Sequence, residues 1–177
     1  MPTTGVIVNQ EGPWTVGQTA TITAVFEHPN GDTTQYSAGD VIGDSLTVAN
    51  LQRFNNIVRQ PGAGGIIQSA ILVDSVAAAT KPDSELYLFD QPITTQVDNA
   101  VWAPTDTDML SCIGVIPFPV GAFKTCGANG IIAVTGIGLA FSCKSPDTNL
   151  YGILVARNAY TPASVEVFEM RLQVLQD

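Results

Sequence analysis

The stretch that decides the fold is GIIQSAILVDSVAAATKPDSELYLFD, residues 65–90. It holds two apolar runs, at 66–73 and 86–89, and each is too short for an independent helix and rich in side chains that suit a strand. Between them, Lys81-Pro82-Asp83-Ser84 is typical of a turn, because proline fixes φ and the Asp and Ser side chains hydrogen-bond locally. The stretch therefore predicts two buried strands joined by a solvent-facing connection.

Further strands are predicted on both sides of this stretch. Residues 19–26 alternate threonine with apolar side chains, the period of a half-buried strand, and the Asn30-Gly31 step that follows is a strong turn signal. In residues 164–175 the apolar phase changes before Phe168, which predicts a bulge or a bend. Other predicted strands cover residues 45–48, 112–120, 131–143 and 150–156. Eight to ten strands at this spacing favour an antiparallel sandwich or barrel.

Local signals refine this pattern. Pro117 and Pro119 place the strand at 112–120 on an edge or at a strand end, since proline cannot donate to a ladder. Glycines in the strand at 131–143 predict a bend. Thr105 followed three residues later by Asp108 predicts a short capped helix, and the remaining ligands of a calcium loop are missing. Helix is therefore limited to one or two short turns.

Charged side chains are scarce in this chain. Asp, Glu, Lys and Arg total 23 residues, half as many as the 46 Ser, Thr, Asn and Gln. Because the core of a protein interface is depleted of charge, the composition favours an assembly component; the alternative is a β-rich monomer with a threonine-rich face. The net charge of −9, without a Lys/Arg cluster, argues against nucleic-acid binding and gives no support for an anionic membrane partner.

The polar N-terminal segment, residues 1–14, is predicted to be an extended arm, followed by a single domain at 15–177. The segment does not have the basic and apolar regions of a secretory signal. Apolar runs all fall short of the roughly twenty residues that cross a membrane.

Residue patterns that carry chemistry are weak. His28, the single histidine, stands beside a turn proline and is interpreted as a loop residue rather than a base or a metal ligand. Cys112, Cys126 and Cys143 fit no metal motif and are interpreted as buried free thiols. The glycine run at 61–65 lacks the Gly-Lys-Ser/Thr step of a phosphate loop. No enzymatic activity, catalytic residue, cofactor or metal site is therefore predicted.

Four segments resemble sequences of one group of proteins. They are GDVIGDS at 39–45, GIIQSA at 65–70, KPDSELYLFD at 81–90 and DTDMLSCIGVI at 106–116. They are similar to the AGDVIxDS, GxIxSAxLxDS, KPxLELxLFD and TDAELxxxVGVI patterns of small proteins encoded in the structural-gene region of tailed bacteriophages. The resemblance covers residues 36–116, and Ser84 stands where the group often has an apolar residue.

This resemblance implies a virion protein of the head, a decoration or cement protein that binds the outer surface of the major capsid protein shell. Such proteins are commonly jelly-roll β-sandwiches and often homotrimers. The expected fold is therefore all-β, an antiparallel jelly-roll-like sandwich. The expected partners are the major capsid protein and copies of this chain, and the expected location is the capsid exterior after synthesis in the host bacterial cytoplasm. No site residue carries over from the group.

The alternative function is a tail- or fibre-associated phage protein that binds a host glycan, with Trp14, Trp102 or Tyr160 exposed to stack on sugar rings. Ordinary packing in the core or in an interface is the favoured interpretation of these aromatic residues. An enzyme would require paired carboxylates in a deep cleft.

Overall fold

The computed structural model describes residues 18–76 and 80–177. The arm predicted at residues 1–14, with Trp14, lies outside them. Within these ranges the regular structure is nearly all strand, and none of the helices is long and apolar enough to cross a membrane. The elements are β1 (Gln18–Glu27), β2 (Val41–Ile42), β3 (Gln52–Phe54), β4 (Gly64–Asp74), β5 (Ser84–Phe89), α1 (Asp106–Met109), β6 (Cys112–Phe118), a 3₁₀ turn (Val120–Ala122), β7 (Lys124–Cys126), β8 (Asn129–Ser142), β9 (Leu150–Ala156) and β10 (Val167–Gln176).

The strands form two antiparallel sheets packed against each other. The first sheet has the order β1-β10-β4-β8-β7, and the second has the order β2-β9-β5-β6, with β3 pairing to the same edge of β9 as β2. The pairing is nested along the chain, since β1 pairs with β10, β2 with β9, β4 with β8 and β5 with β6. The predicted all-β antiparallel sandwich is confirmed, whereas its jelly-roll form stays a prediction.

The main core lies between the two sheets. Alternate residues of β10 from Phe168 to Val174 point into it and are at most 1% exposed, the period expected of a strand with one buried face. Large side chains from both sheets meet them there: Phe26, Phe54, Leu72, Leu86, Leu88, Phe118, Phe168, Met170 and Leu172.

A second apolar cluster covers the outer side of the second sheet. The connection between β5 and α1 folds back over this sheet and packs Ile93 and Trp102 against Phe89, Tyr151 and Ile153. Every residue of β9 is buried as a result. The second sheet is therefore covered on both faces along β9, whereas Val115 and Pro117 of the edge strand β6 stay exposed.

Several local predictions are confirmed. β6 forms the edge of the second sheet, as its prolines indicate. Gly136 and Gly138 have φ angles of +71° and +64°, which glycine adopts without strain, and they lie opposite a bulge at Gln68. Thr105 and Asp108 form a reciprocal capping box at the start of α1.

Residues 45–48 do not form the predicted strand. The Oγ of Ser45 accepts hydrogen bonds from the backbone N–H groups of Thr47 and Val48, at 3.3 and 3.1 Å. A serine hydroxyl that bonds its local backbone in this way competes with a sheet ladder. The segment is therefore a bend that follows β2.

The end of the connection before β5, residues 81–84, is not solvent-facing as predicted, although Thr80 before it is exposed. β4 and β5 belong to different sheets, so the chain passes from one sheet to the other, with Pro82 and Ser84 buried. Lys81 forms an ion pair with the buried Asp74. The predicted turn is also wrong, because Ser84 already belongs to β5, its buried Oγ has no hydrogen-bond partner among the described residues, and the backbone N–H of Asp83 donates to Oδ1 of the distant Asn158 at 3.0 Å.

The predicted phase change near Phe168 marks a turn rather than a bulge. Ser164 and Val165 form this turn, and β10 begins at Val167 in a single phase. The bulge facing β10 lies in its neighbour β4, where the register shifts at Gln68.

The cysteines are free, as predicted, but they are not all buried. Cys143 is buried and Cys112 is half-buried, whereas Cys126 is exposed. Cys126 ends β7, a three-residue edge strand whose residues are all exposed. An edge hairpin of this length leaves the thiol outside the core.

Candidate interaction surface

The outer face of the first sheet presents a regular array of side chains, which are exposed or half-buried except for the buried Ser69. The register aligns them in four rows across β1, β10, β4 and β8, and we call these residues the open face. The rows are Val25-Glu169-Val73-Ile131, Thr23-Arg171-Ile71-Ala133, Thr21-Gln173-Ser69-Thr135 and Thr19-Leu175-Ile66-Ala140.

The open face is electrically neutral. Its two charged residues, Glu169 and Arg171, form an ion pair with each other, so their charges cancel. The chain as a whole carries −9. At its border the exposed Glu27 follows Val25 on β1, and the exposed Lys124 of β7 pairs with Ile131. The four rows themselves therefore carry no net charge for a partner to neutralise.

Apolar side chains alternate with hydroxyl and amide groups on the open face. Val25, Ile66 and Ile131 keep 42%, 38% and 40% of their surface exposed, which is high for aliphatic residues in a sheet. The Oγ of Ser69 donates a 2.8 Å hydrogen bond to Oε1 of Gln173. Because a satisfied polar pair costs less to remove from water than two free groups, the surface combines apolar area with a low desolvation penalty.

The size of the open face follows from strand geometry. Four strands about 4.8 Å apart and four rows about 6.8 Å apart give an area of about 500 Å². A standard protein interface takes about 800 Å² from each partner. The open face is therefore large enough for the centre of an interface, with contributions from flanking residues.

The bulge at Gln68 makes this surface uneven. Gln68 lies between two shallow depressions. One is lined by residues of β1 and β10, including Thr21 and Gln173, and the other by Ile66 with the glycines at the bend of β8. The Gln68 side chain is exposed, so it stands where a partner surface would meet it.

Of the three aromatic residues considered for sugar stacking, Trp14 lies outside the described residues, Tyr160 is buried and Trp102 is half-buried. Tyr160 is 1% exposed and stacks on Tyr36, with ring centroids 6.0 Å apart. Trp102 lies edge-on to Tyr87 at 4.4 Å in the second apolar cluster. Packing was the favoured interpretation for both residues, and neither ring stands free as a platform for a sugar.

Two carboxylates come together in the interior. Asp74 and Glu166 are both 0% exposed. Burial raises the pKa of Glu166 to about 7, and the nearby charge of Asp74 acts in the same direction. The backbone N–H of Ala163 donates to Oε2 of Glu166 at 2.9 Å, and Lys81 pairs with Asp74. Both carboxylates are shielded from solvent, so they belong to the packed interior and do not line an open cleft.

His28 occupies a loop position directly after β1, as predicted, but its side chain is not in solvent. It is 2% exposed and lies near Asp98, which is 3% exposed. Burial lowers the pKa of His28 below its usual value, while the neighbouring Asp98 opposes that shift. The sequence separation of these two residues gave no signal that they meet.

Comparisons with known proteins identify no family for this chain. No protein-family model matches the chain, and no curated protein matches it. A chain in the structure of infectious bursal disease virus, Gx strain, is similar at 11% identity and a TM-score of 0.20. That likeness spans 98% of this chain and 44% of the viral chain, so this chain covers less than half of that protein's length. A TM-score this low does not indicate a shared fold.

Proposed function

We propose that this protein is a structural component of a tailed-phage head, a decoration protein that binds the outer surface of the major capsid protein shell. The observation that carries the proposal is the open face, a neutral sheet surface with exposed aliphatic side chains on a chain of net charge −9. Interface cores are depleted of charge in this way. The sequence resemblance to phage structural proteins supports the same conclusion.

The strand order supports a jelly-roll form of the sandwich. Nested pairing of β1 with β10, β2 with β9, β4 with β8 and β5 with β6 is what a long antiparallel ribbon produces when it is rolled up. Successive pairs then fall alternately in the first and the second sheet. Double-sheet jelly rolls occur in viral capsid proteins and also in lectins. Because this fold occurs in both kinds of protein, the proposed function rests on the open face and not on the strand order.

The position of Gln18, where β1 begins, fits the proposed contact. Residues 1–14 precede β1, and β1 forms one edge of the open face. An arm that starts there would add contact area to a surface that is smaller than a standard interface. We expect a homotrimer on the shell, with the arm of one copy lying against a neighbouring subunit.

A charge-insertion experiment tests the role of the open face. The double variant Thr21→Lys/Ala133→Lys adds two positive charges to it at exposed positions. The control variant Thr33→Lys/Thr107→Lys makes the same charge change at exposed positions outside it. Binding of each protein to purified heads that lack the decoration protein is measured by co-sedimentation, with melting temperatures to verify folding.

The expected result is binding at least tenfold weaker for the open-face variant and near-normal binding for the control, since a buried unpaired charge is costly. Equal binding by both variants would refute the role of the open face. Labelling of intact particles with an antibody is an independent test, because it locates the protein on the head or on the tail. Hundreds of copies on the head support the proposal, whereas a few copies on the tail would favour the glycan-binding alternative.

A further inference from the structure

Three titratable side chains from distant parts of the chain meet beside the end of β1. His28 follows β1 directly, Asp32 lies four residues later in the same loop, and Asp98 comes from the connection that covers the second sheet. One ligand atom of each residue lies within 4.8 Å of the others. The Nε2 atom of His28 is 3.8 Å from Oδ2 of Asp98, which is too long for a hydrogen bond.

Each carboxylate in this cluster has one oxygen held by hydrogen bonds. Oδ1 of Asp98 accepts from the hydroxyl of Tyr36 and from the backbone N–H of Gly43, both at 2.7 Å. Oδ1 of Asp32 accepts from the backbone N–H and the hydroxyl of Thr34, at 2.9 and 2.6 Å. These bonds fix both carboxylates, as the outer hydrogen bonds of metal-binding carboxylates do.

The remaining oxygens and the imidazole point at one another. Oδ2 of Asp32, Oδ2 of Asp98 and both ring nitrogens of His28 are buried and have no hydrogen-bond partner among the described residues. His28 and Asp98 are each at least nine-tenths buried. A buried polar atom without a partner is costly, and one such atom from each of the three residues could share a single ligand.

We propose that His28, Asp32 and Asp98 bind a divalent transition-metal ion, with Zn²⁺ as the preferred ion. One imidazole nitrogen and two carboxylate oxygens are a ligand set that suits zinc, and two carboxylates neutralise the charge of a divalent cation. Ligands of a tetrahedral site with metal–ligand distances of about 2.0 Å lie about 3.3 Å apart. The ligand atoms now lie within 4.8 Å of one another, so ion binding would have to draw them together.

The site would serve the fold rather than a reaction. It would connect the loop after β1 in the first sheet with the connection that covers the second sheet, so the ion would hold the two layers together at one end. A ligand that binds the folded state alone stabilises it by mass action. The site is separate from the open face, and its existence does not depend on the proposed function.

A thermal-shift titration tests the site. The full chain is freed of metal with a chelator, and its melting temperature is measured with Zn²⁺ and, in parallel, with Ca²⁺. Saturating Zn²⁺ is expected to raise the melting temperature by about 5 °C or more, with one ion bound per chain. Ca²⁺ is expected to have a much smaller effect, because a buried imidazole is a poor ligand for it.

Two variants and two controls assign the ligands. Asp32→Asn and His28→Gln should each weaken Zn²⁺ binding at least tenfold; Asp32 is the less buried, so its variant keeps the test decisive if the His28 variant fails to fold. Glu27→Gln removes an exposed charge next to the cluster, and Cys126→Ser removes the exposed thiol. Both controls should bind normally. A wild-type protein without a Zn²⁺ shift, an Asp32→Asn variant with an unchanged shift, or a shift lost in Cys126→Ser would overturn the proposal.

Discussion

Gly152, the third residue of β9, packs against the ring of Phe54 on β3. A Cβ atom placed on Gly152 would lie 2.9 Å from Cε2 of Phe54 and 3.1 Å from Cδ1 of Leu86. Both neighbours are fully buried core side chains, so neither has room to move away. We expect Gly152→Ala to lower the free energy of unfolding by about 1–3 kcal/mol, the usual cost of overpacking.

Urea denaturation followed by fluorescence measures this change. Gly121→Ala is the matched control, because nothing lies within 4 Å of a Cβ atom at Gly121 and its φ angle is not positive. The control should stay within about 0.5 kcal/mol of the wild type. A Gly152→Ala protein as stable as the control would show that the contact between β9 and β3 is looser than described.

The raised pKa of Glu166 predicts a pH-dependent stability. In the folded protein Glu166 holds its proton up to about pH 7, whereas its ordinary pKa is 4.5. The contribution of Glu166 to the free energy of unfolding is therefore fully present below pH 4.5 and decreases as the pH rises towards 7. The decrease amounts to roughly 2–3 kcal/mol. We expect Glu166→Gln, which stays neutral, to remove this part of the pH dependence.

Free energies of unfolding at pH 4.5 and pH 8 measure the effect. The difference between the two pH values, not the absolute stability, is compared between Glu166→Gln and the wild type. Glu169→Gln is the control, because that carboxylate is half-buried on the open face and pairs with Arg171. Identical pH profiles for all three proteins would contradict the burial of an uncharged Glu166.

The three thiols are expected to react at very different rates. Burial, together with the nearby charges of Asp147 and Asp90, raises the pKa of Cys143 to about 11, and burial also raises the pKa of Cys112. Because the thiolate is the nucleophile, a pKa near 11 lowers the reactive fraction at pH 8 by about 200-fold relative to an ordinary thiol. Mass spectrometry after iodoacetamide treatment should find Cys126 modified first and Cys143 last. Modification of all three in urea verifies that each thiol is free, and early labelling of Cys143 would contradict its burial.

Features set by neighbours in sequence were predictable. The capping box needs Thr105 and Asp108 three residues apart, and the half-buried β1 shows in its alternation of threonine with apolar residues. The strand predicted from Ser45 onward was wrong, because the choice between a sheet ladder and a side-chain turn depends on whether a partner strand is available.

Features set by the register were beyond sequence analysis. The alternation in β4 separates Ile71 and Leu72 onto opposite faces, but it does not say that Ile71 adjoins Arg171 and Ala133. The open face therefore has no signature in any single strand. The meeting of His28 with Asp98, 70 positions later, likewise depends on the long connection folding back over the second sheet.

The two ion pairs of Lys81 and Arg171 should differ sharply in their contribution to stability. Lys81 is 13% exposed and pairs with Asp74, which is 0% exposed, and its Nζ also donates to the carbonyl of Val76 at 3.1 Å. Removing this ammonium leaves a buried carboxylate without its cation, which costs about 3–5 kcal/mol. Arg171 and Glu169 are 44% and 36% exposed, and exposed pairs contribute about 0.2–1 kcal/mol because water screens them.

Lys81→Met and Arg171→Met therefore form a matched comparison, since each replaces a cation by an apolar chain of similar length. Free energies of unfolding from urea denaturation at pH 7 should fall by several kcal/mol for Lys81→Met and hardly at all for Arg171→Met. A double variant Lys81→Met/Asp74→Leu should regain part of the loss, because it replaces the buried pair by apolar groups instead of leaving one charge alone. Equal small losses in both single variants would show that Asp74 reaches water or another cation, and that the crossing from β4 to β5 is open to solvent.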